Sequence, residues 1–146
     1  NQLAIELAII KWQNQPFDKK IIILCEKFLS HYSYQPLIFK IQGFQFHNDG
    51  AIIARCFDKF GLFRSLRSSL LDSVKELPTK QSSWCHIPLG RILEEININK
   101  LNKLRELTVF SQKSFSPEFN LHDIKIVHEK KWYQSDSEIL YTFKIK

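Results

Sequence analysis

Leu37-Ile38-Phe39-Lys40-Ile41-Gln42-Gly43-Phe44-Gln45-Phe46-His47-Asn48-Asp49-Gly50 is the stretch whose reading decides the fold. Bulky apolar residues dominate it from Leu37 to Phe46, as suits a strand with one face toward a core. Phe39 and Ile41 fall on one register of the period-two pattern and Phe44 and Phe46 on the other. Gly43 stands where the register flips and marks a β-bulge. His47-Asn48-Asp49-Gly50 then reads as a tight turn, because Asn, Asp and Gly tolerate the positive φ that hairpin turns require. Residues 51–57 are expected to pair back as the second strand.

Helical periodicity flanks this hairpin on both sides. Upstream, Asp18 can cap a helix in which Ile21, Leu24, Cys25, Phe28 and Leu29 form one apolar stripe to about Ser30, and Pro36 breaks the pattern. Downstream of Gly61, residues Leu62, Leu66, Leu70, Val74 and Leu77 describe a second amphipathic helix with Arg64, Arg67 and Lys75 on its polar side. Pro78 should end it. Residues 84–93 have strand composition, and a third helix comes after them with Asn99 as its cap and Leu101, Leu104 and Leu107 facing inward. Residues 119–128, a polar turn at 134–137 and the alternation of Ile139, Tyr141, Phe143 and Ile145 predict a final hairpin. Helices tied to antiparallel hairpins point to an α+β fold rather than a parallel sheet with crossover helices.

The chain has 146 residues, 44% of them hydrophobic and 13% aromatic, enough for a single domain with a real core. Its three cysteines, Cys25, Cys56 and Cys85, include no C-x-x-C pair, so their spacing offers no zinc site and suits reduced thiols in a cytoplasmic protein. The apolar runs 3–10 and 21–25 fall well short of the roughly 20 residues needed to cross a bilayer, which predicts no membrane partner. A net charge of +6 favours a phosphorylated or nucleic-acid ligand, although the basic residues alternate with acids as on an ordinary basic surface. Methionine is absent, where ordinary usage would place about three. That points to a fragment or to lost methionine positions.

The chemistry centres on Trp84-Cys85-His86-Ile87-Pro88-Leu89-Gly90-Arg91. Strand alternation places His86, Pro88 and Gly90 on one face and Ile87 and Leu89 on the other, and it sends Cys85 and His86 apart, disfavouring a thiolate–imidazole pair. His86 is the candidate catalytic residue, since imidazole titrates near neutrality and can move a proton in phosphodiester cleavage. A structural histidine is the ordinary alternative. Arg91 can neutralise a phosphate with its planar fork, or pair with Glu94 or Glu95. Trp132 and Tyr133, beside a polar turn, are candidate rim residues for stacking a base, whereas Trp84 is expected to pack in the core. His31, in the one literal His-x-Ser of the chain, reads as a helix C-terminal residue favoured by the dipole. His47 in the hairpin turn and His122 near a strand start are expected to be solvent-exposed. His128, in register with Ile124 and Ile126, is expected at a partly buried or cleft-edge position. No Gly-rich phosphate loop or paired-carboxylate motif is present.

In order, these segments resemble the central and C-terminal parts of a 2H phosphoesterase, a superfamily similar to 2′-5′ RNA ligases and 2′,3′-cyclic phosphodiesterases. The resemblance rests on residues 18–30, the hairpin 37–57 around Gly43-Phe44, residues 60–77, the segment Trp84 to Arg91, and Ile126-Val127-His128-Glu129 with Trp132-Tyr133. It implies a two-lobed α+β fold with antiparallel sheets and flanking helices. Each lobe would supply one His-x-Thr/Ser motif to a shared cleft, one histidine acting as base and the other as acid. It implies no metal, no cofactor and no obligate protein partner, and a phosphorylated nucleotide or RNA end as ligand. The chain departs from the pattern at Pro88, which stands in place of the second hydroxyl residue, and no His-x-Thr/Ser precedes Asp18. The resemblance therefore places the first motif either upstream of Asn1 or among positions missing from the sequence. The two readings it leaves are a phosphoesterase using His86 and a non-catalytic nucleotide- or RNA-binding module of the same fold. An interaction domain whose charge has no ligand meaning is a third.

Overall fold

The computed structural model describes residues 4–12, 16, 18–129 and 136–145. The fold is mixed α+β. Helix α1 (Lys19–His31) begins where Asp18 accepts a hydrogen bond from the Lys20 N–H at 2.8 Å, so the cap is the residue its chemistry predicts. Strand β1 (Leu37–Phe46) pairs antiparallel with β2 (Ala51–Asp58) through the predicted turn. At the tip, Gly50 has φ +85°, and its N–H and that of Ala51 bond to His47 O and Asp49 Oδ1.

Between Ile41 and Phe44 the register of β1 advances one residue further than that of β2. Ile41 faces Cys56 and Phe44 faces Ala54, so the bulge returns Phe44 to the core side of the sheet. Gly43 sits there with φ +68°, and a Cβ on it would lie 2.7 Å from Gln112 N and 2.8 Å from Ser111 Oγ. The glycine is thus required twice, for its conformation and for the close approach of helix α3 (Ile98–Ser114).

Helix α2 (Leu62–Ser73) is capped by Asp58, whose Oδ2 accepts from the N–H groups of Phe63 and Arg64. It ends a turn earlier than the leucine spacing predicts. Pro78 constrains only Leu77, and Val74 leaves helical geometry at φ −118°, ψ 82° while it and Leu77 remain buried. Arg67, expected on the polar side, is 6% exposed. Its guanidinium donates to the carbonyls of Leu7 (2.7 Å), Glu6 (2.6 Å) and Trp84 (3.4 Å), and it lies over the Phe63 ring. Those bonds make its burial tolerable and tie the first described residues to the start of β3 (Cys85–Arg91).

The four-stranded antiparallel sheet has the order β3-β2-β1-β4, with β4 at Glu118–Leu121. Helix α3 is capped by Asn97 rather than Asn99, and Leu107 is 57% exposed instead of facing inward. Strands β5 (Asp123–Glu129) and β6 (Ser137–Lys144) form the final hairpin as a separate two-stranded sheet. The core joins Cys25 and Leu29 of α1, Phe63, Leu66 and Leu70 of α2, Leu37, Phe39, Ala54, Cys56 and Ile87 of the larger sheet, and Ile124 and Ile126 of β5. Phe39 is fully buried, edge-on to Phe63 and stacked on Phe119. No helix among the described residues is long and apolar enough to cross a membrane.

Candidate functional site

Strand alternation gives the larger sheet two chemically different faces. Ala54 and Cys56 of β2 point to the helices, so Ile53, Arg55 and Phe57 point the other way. Their ladder partners share that face: Gln45 and Pro88 opposite Ile53, His86 opposite Arg55, and Lys40 opposite Phe57. Cys85 lies opposite Cys56 on the core side, so the thiol and the imidazole diverge as expected.

Pro88 is accommodated because β3 is an edge strand, where a missing N–H costs little, and because a bulge lies next to it. Ile53 pairs with Pro88 and Ile52 with Gly90, leaving Leu89 as the extra residue, 43% exposed. The bulge overturns two expected facings. Leu89 does not join Ile87 in the core, and Gly90, opposite Ile52, no longer shares the face of His86 and Pro88.

His86 is half-buried, and its ring centroid lies 5.0 Å from that of Trp84. Trp84 is 41% exposed, not a core residue, because it belongs to the outer face with His86 two residues on. The same indole lies 5.3 Å from the ring of His47. His47 is therefore not simply a solvated turn residue: its Nε2 and the Nδ1 of His86 are both buried and lack a hydrogen-bond partner in the protein. Burial, the neighbouring His47 and then Arg67 lower the His86 pKa below the ordinary 6.5, so this imidazole is neutral at pH 7. Sequence reasoning missed His47 as a partner because the contact passes through Trp84, across strands rather than along one.

Arg91 does not pair with Glu94 or Glu95. Its guanidinium holds the hairpin tip, with 3.0 Å to Asp49 O and 3.1 Å to Asp49 Oδ2. The Ala51 N–H, then Arg91 and His47, hold the Asp49 carboxyl below the usual carboxylate range. Arg55, which the sequence did not single out, sits across the ladder from His86 with its guanidinium 5.3 Å from the Phe57 ring centre.

The remaining candidates lie elsewhere. Trp132 and Tyr133 fall outside the described residues. His31 Nδ1 is 2.8 Å from Lys27 O at the end of α1, the local role its position suggests. His122 is exposed. His128 is exposed rather than partly buried; the β5–β6 register shifts between Ile126 and Val127, beyond the two buried isoleucines. Among the described residues no group of three His, Cys, Asp or Glu side chains is placed to hold a metal ion. Comparisons with protein-family models, with curated proteins and with solved structures find no match to this chain.

Proposed function

We propose that this chain is a 2H-type phosphoesterase domain that hydrolyses a phosphodiester such as a 2′,3′-cyclic phosphate, a cyclic nucleotide or an RNA end, by acid/base catalysis with two histidines. The observation that carries the reading is the pairing of His47 and His86 on one exposed indole. Hydrolysis of a cyclic phosphate needs one group to take a proton from water as its oxygen attacks phosphorus. A second must give a proton to the ribose oxygen as the P–O bond breaks. His86, neutral at pH 7, suits the base. His47 supplies the second imidazole, in place of a motif upstream. Both proton transfers are thereby assigned without a metal ion. The alternative, a nucleotide- or RNA-binding module without turnover, draws on the same face, where Trp84 and Phe57 are 41% and 42% exposed beside Arg55, as on a stacking platform.

The test is turnover of a nucleoside 2′,3′-cyclic phosphate in EDTA. His86→Ala and His47→Ala should each slow it by roughly 10²–10⁴-fold. Turnover should also fall as the pH drops below about 6.5 and through the lowered His86 pKa, because only the neutral imidazole accepts a proton. Unchanged turnover in His86→Ala would sink the assignment, and nucleotide binding with no turnover in the unmodified chain would select the binding module.

A further inference from the structure

Arg55, Arg67 and Arg91 differ in what holds their donors. Arg67 spends its guanidinium on three backbone carbonyls, and Arg91 spends its own on Asp49. Arg55 has no hydrogen bond or ion pair among the described residues; its contact is the Phe57 ring, 42% exposed, two residues along the same strand. Pairing across an antiparallel ladder puts the Cβ atoms of Arg55 and His86 about 5 Å apart on one face. A guanidinium resting over an aromatic ring keeps the N–H donors at its edge for a planar, bidentate acceptor. Such a group, half-buried beside a neutral imidazole, fits a phosphate oxyanion.

We propose that Arg55, oriented by Phe57, is the phosphate-binding residue of this site, and that the ligand it takes is the phosphate of a nucleotide whose base lies against Trp84. The assignment rests on the phosphoesterase reading and adds the group that holds the phosphate while His86 and His47 move protons. Arg55 takes no part in proton transfer, since a guanidinium keeps its proton throughout the working pH range. The same contact predicts a preference for a nucleotide over inorganic phosphate, because Trp84 adds a surface that a bare anion cannot use.

The experiment is calorimetric titration of the chain with adenosine 2′-monophosphate, adenosine and inorganic phosphate, beside turnover of the cyclic phosphate. Adenosine 2′-monophosphate should bind more tightly than either of the others, and Arg55→Ala should weaken it by about 10–100-fold, the loss expected for a charge-assisted contact. Arg55→Lys should restore little of this, since an ammonium lacks the fork. In turnover, Arg55→Ala should raise KM, whereas His86→Ala should lower kcat and keep nucleotide affinity. An unchanged thermal midpoint for Arg55→Ala shows that the loss is one of binding rather than folding. Unchanged nucleotide affinity in Arg55→Ala, with turnover still lost in His86→Ala, overturns the Arg55 assignment and leaves the phosphoesterase reading standing. Equal affinity for inorganic phosphate and nucleotide overturns the role of Trp84. If no phosphate compound binds or turns over, both readings fall together.

Discussion

The two faces of the four-stranded sheet share one backbone and have opposite chemistry. On the helix side, Leu37, Phe39, Ala54, Cys56 and Ile87 are all at most 7% exposed, and burial pushes the Cys56 thiol up to about 11, leaving it protonated and inert. On the other side, Arg55 and His86 are half-buried, Phe57 and Trp84 are open, and two imidazole nitrogens are left without protein partners. Period-two alternation thus separates environments within each strand, since neighbours as close as Cys56 and Arg55 lie in the core and half-buried on the opposite face respectively. Substitutions on the helix side should move the unfolding midpoint and leave ligand binding alone, and those at Arg55 or His86 should do the reverse.

The largest effect that would break this division is expected at Phe39. Phe39→Ala should cost about 3–5 kcal/mol in denaturant unfolding, with the nucleotide affinity of the remaining folded protein preserved. A variant of normal stability with lost binding would show that the faces are not independent. Gly43→Ala comes next, because it combines left-handed geometry with a Cβ 2.7 Å from Gln112 N. It should cost roughly 1–3 kcal/mol from backbone strain alone, and a neutral result would mean that the β1 bulge is not specified by this residue. Arg91→Gln should have the smallest effect. It removes an exposed ion pair at the hairpin tip and a guanidinium already committed to Asp49, so both the unfolding midpoint and nucleotide affinity should scarcely move. A loss in Arg91→Gln matching that in Arg55→Ala would reassign the phosphate contact.

Much of the fold was legible because its signals are local. Asp18 caps a helix with its own side chain, Gly43 permits a bulge, and the turn at 47–50 is written in residues that accept positive φ. Where a boundary depended on packing, the reading slipped. Leu77 is buried beyond the end of α2, Leu107 is on the open side of α3, and Arg67 is buried because distant carbonyls from residues 6, 7 and 84 converge on it. The candidate site was half legible. Composition and position singled out His86, but its neighbours depend on register: Arg55 faces it only for one alignment of β2 and β3, and the bulge at Leu89 turns Gly90 away from the face that Pro88 occupies. His47 is 39 positions away in sequence and meets the same indole only once three strands are aligned.

The hairpin tip has one further consequence. The Ile92 N–H donates to Gly50 O at 2.9 Å, continuing the contact between the tip and β3 past the last ladder pair. The backbone that carries His47 and the strand that carries His86 are therefore one braced unit. On the phosphoesterase reading proposed above, little ordering entropy would be surrendered when a ligand binds against them.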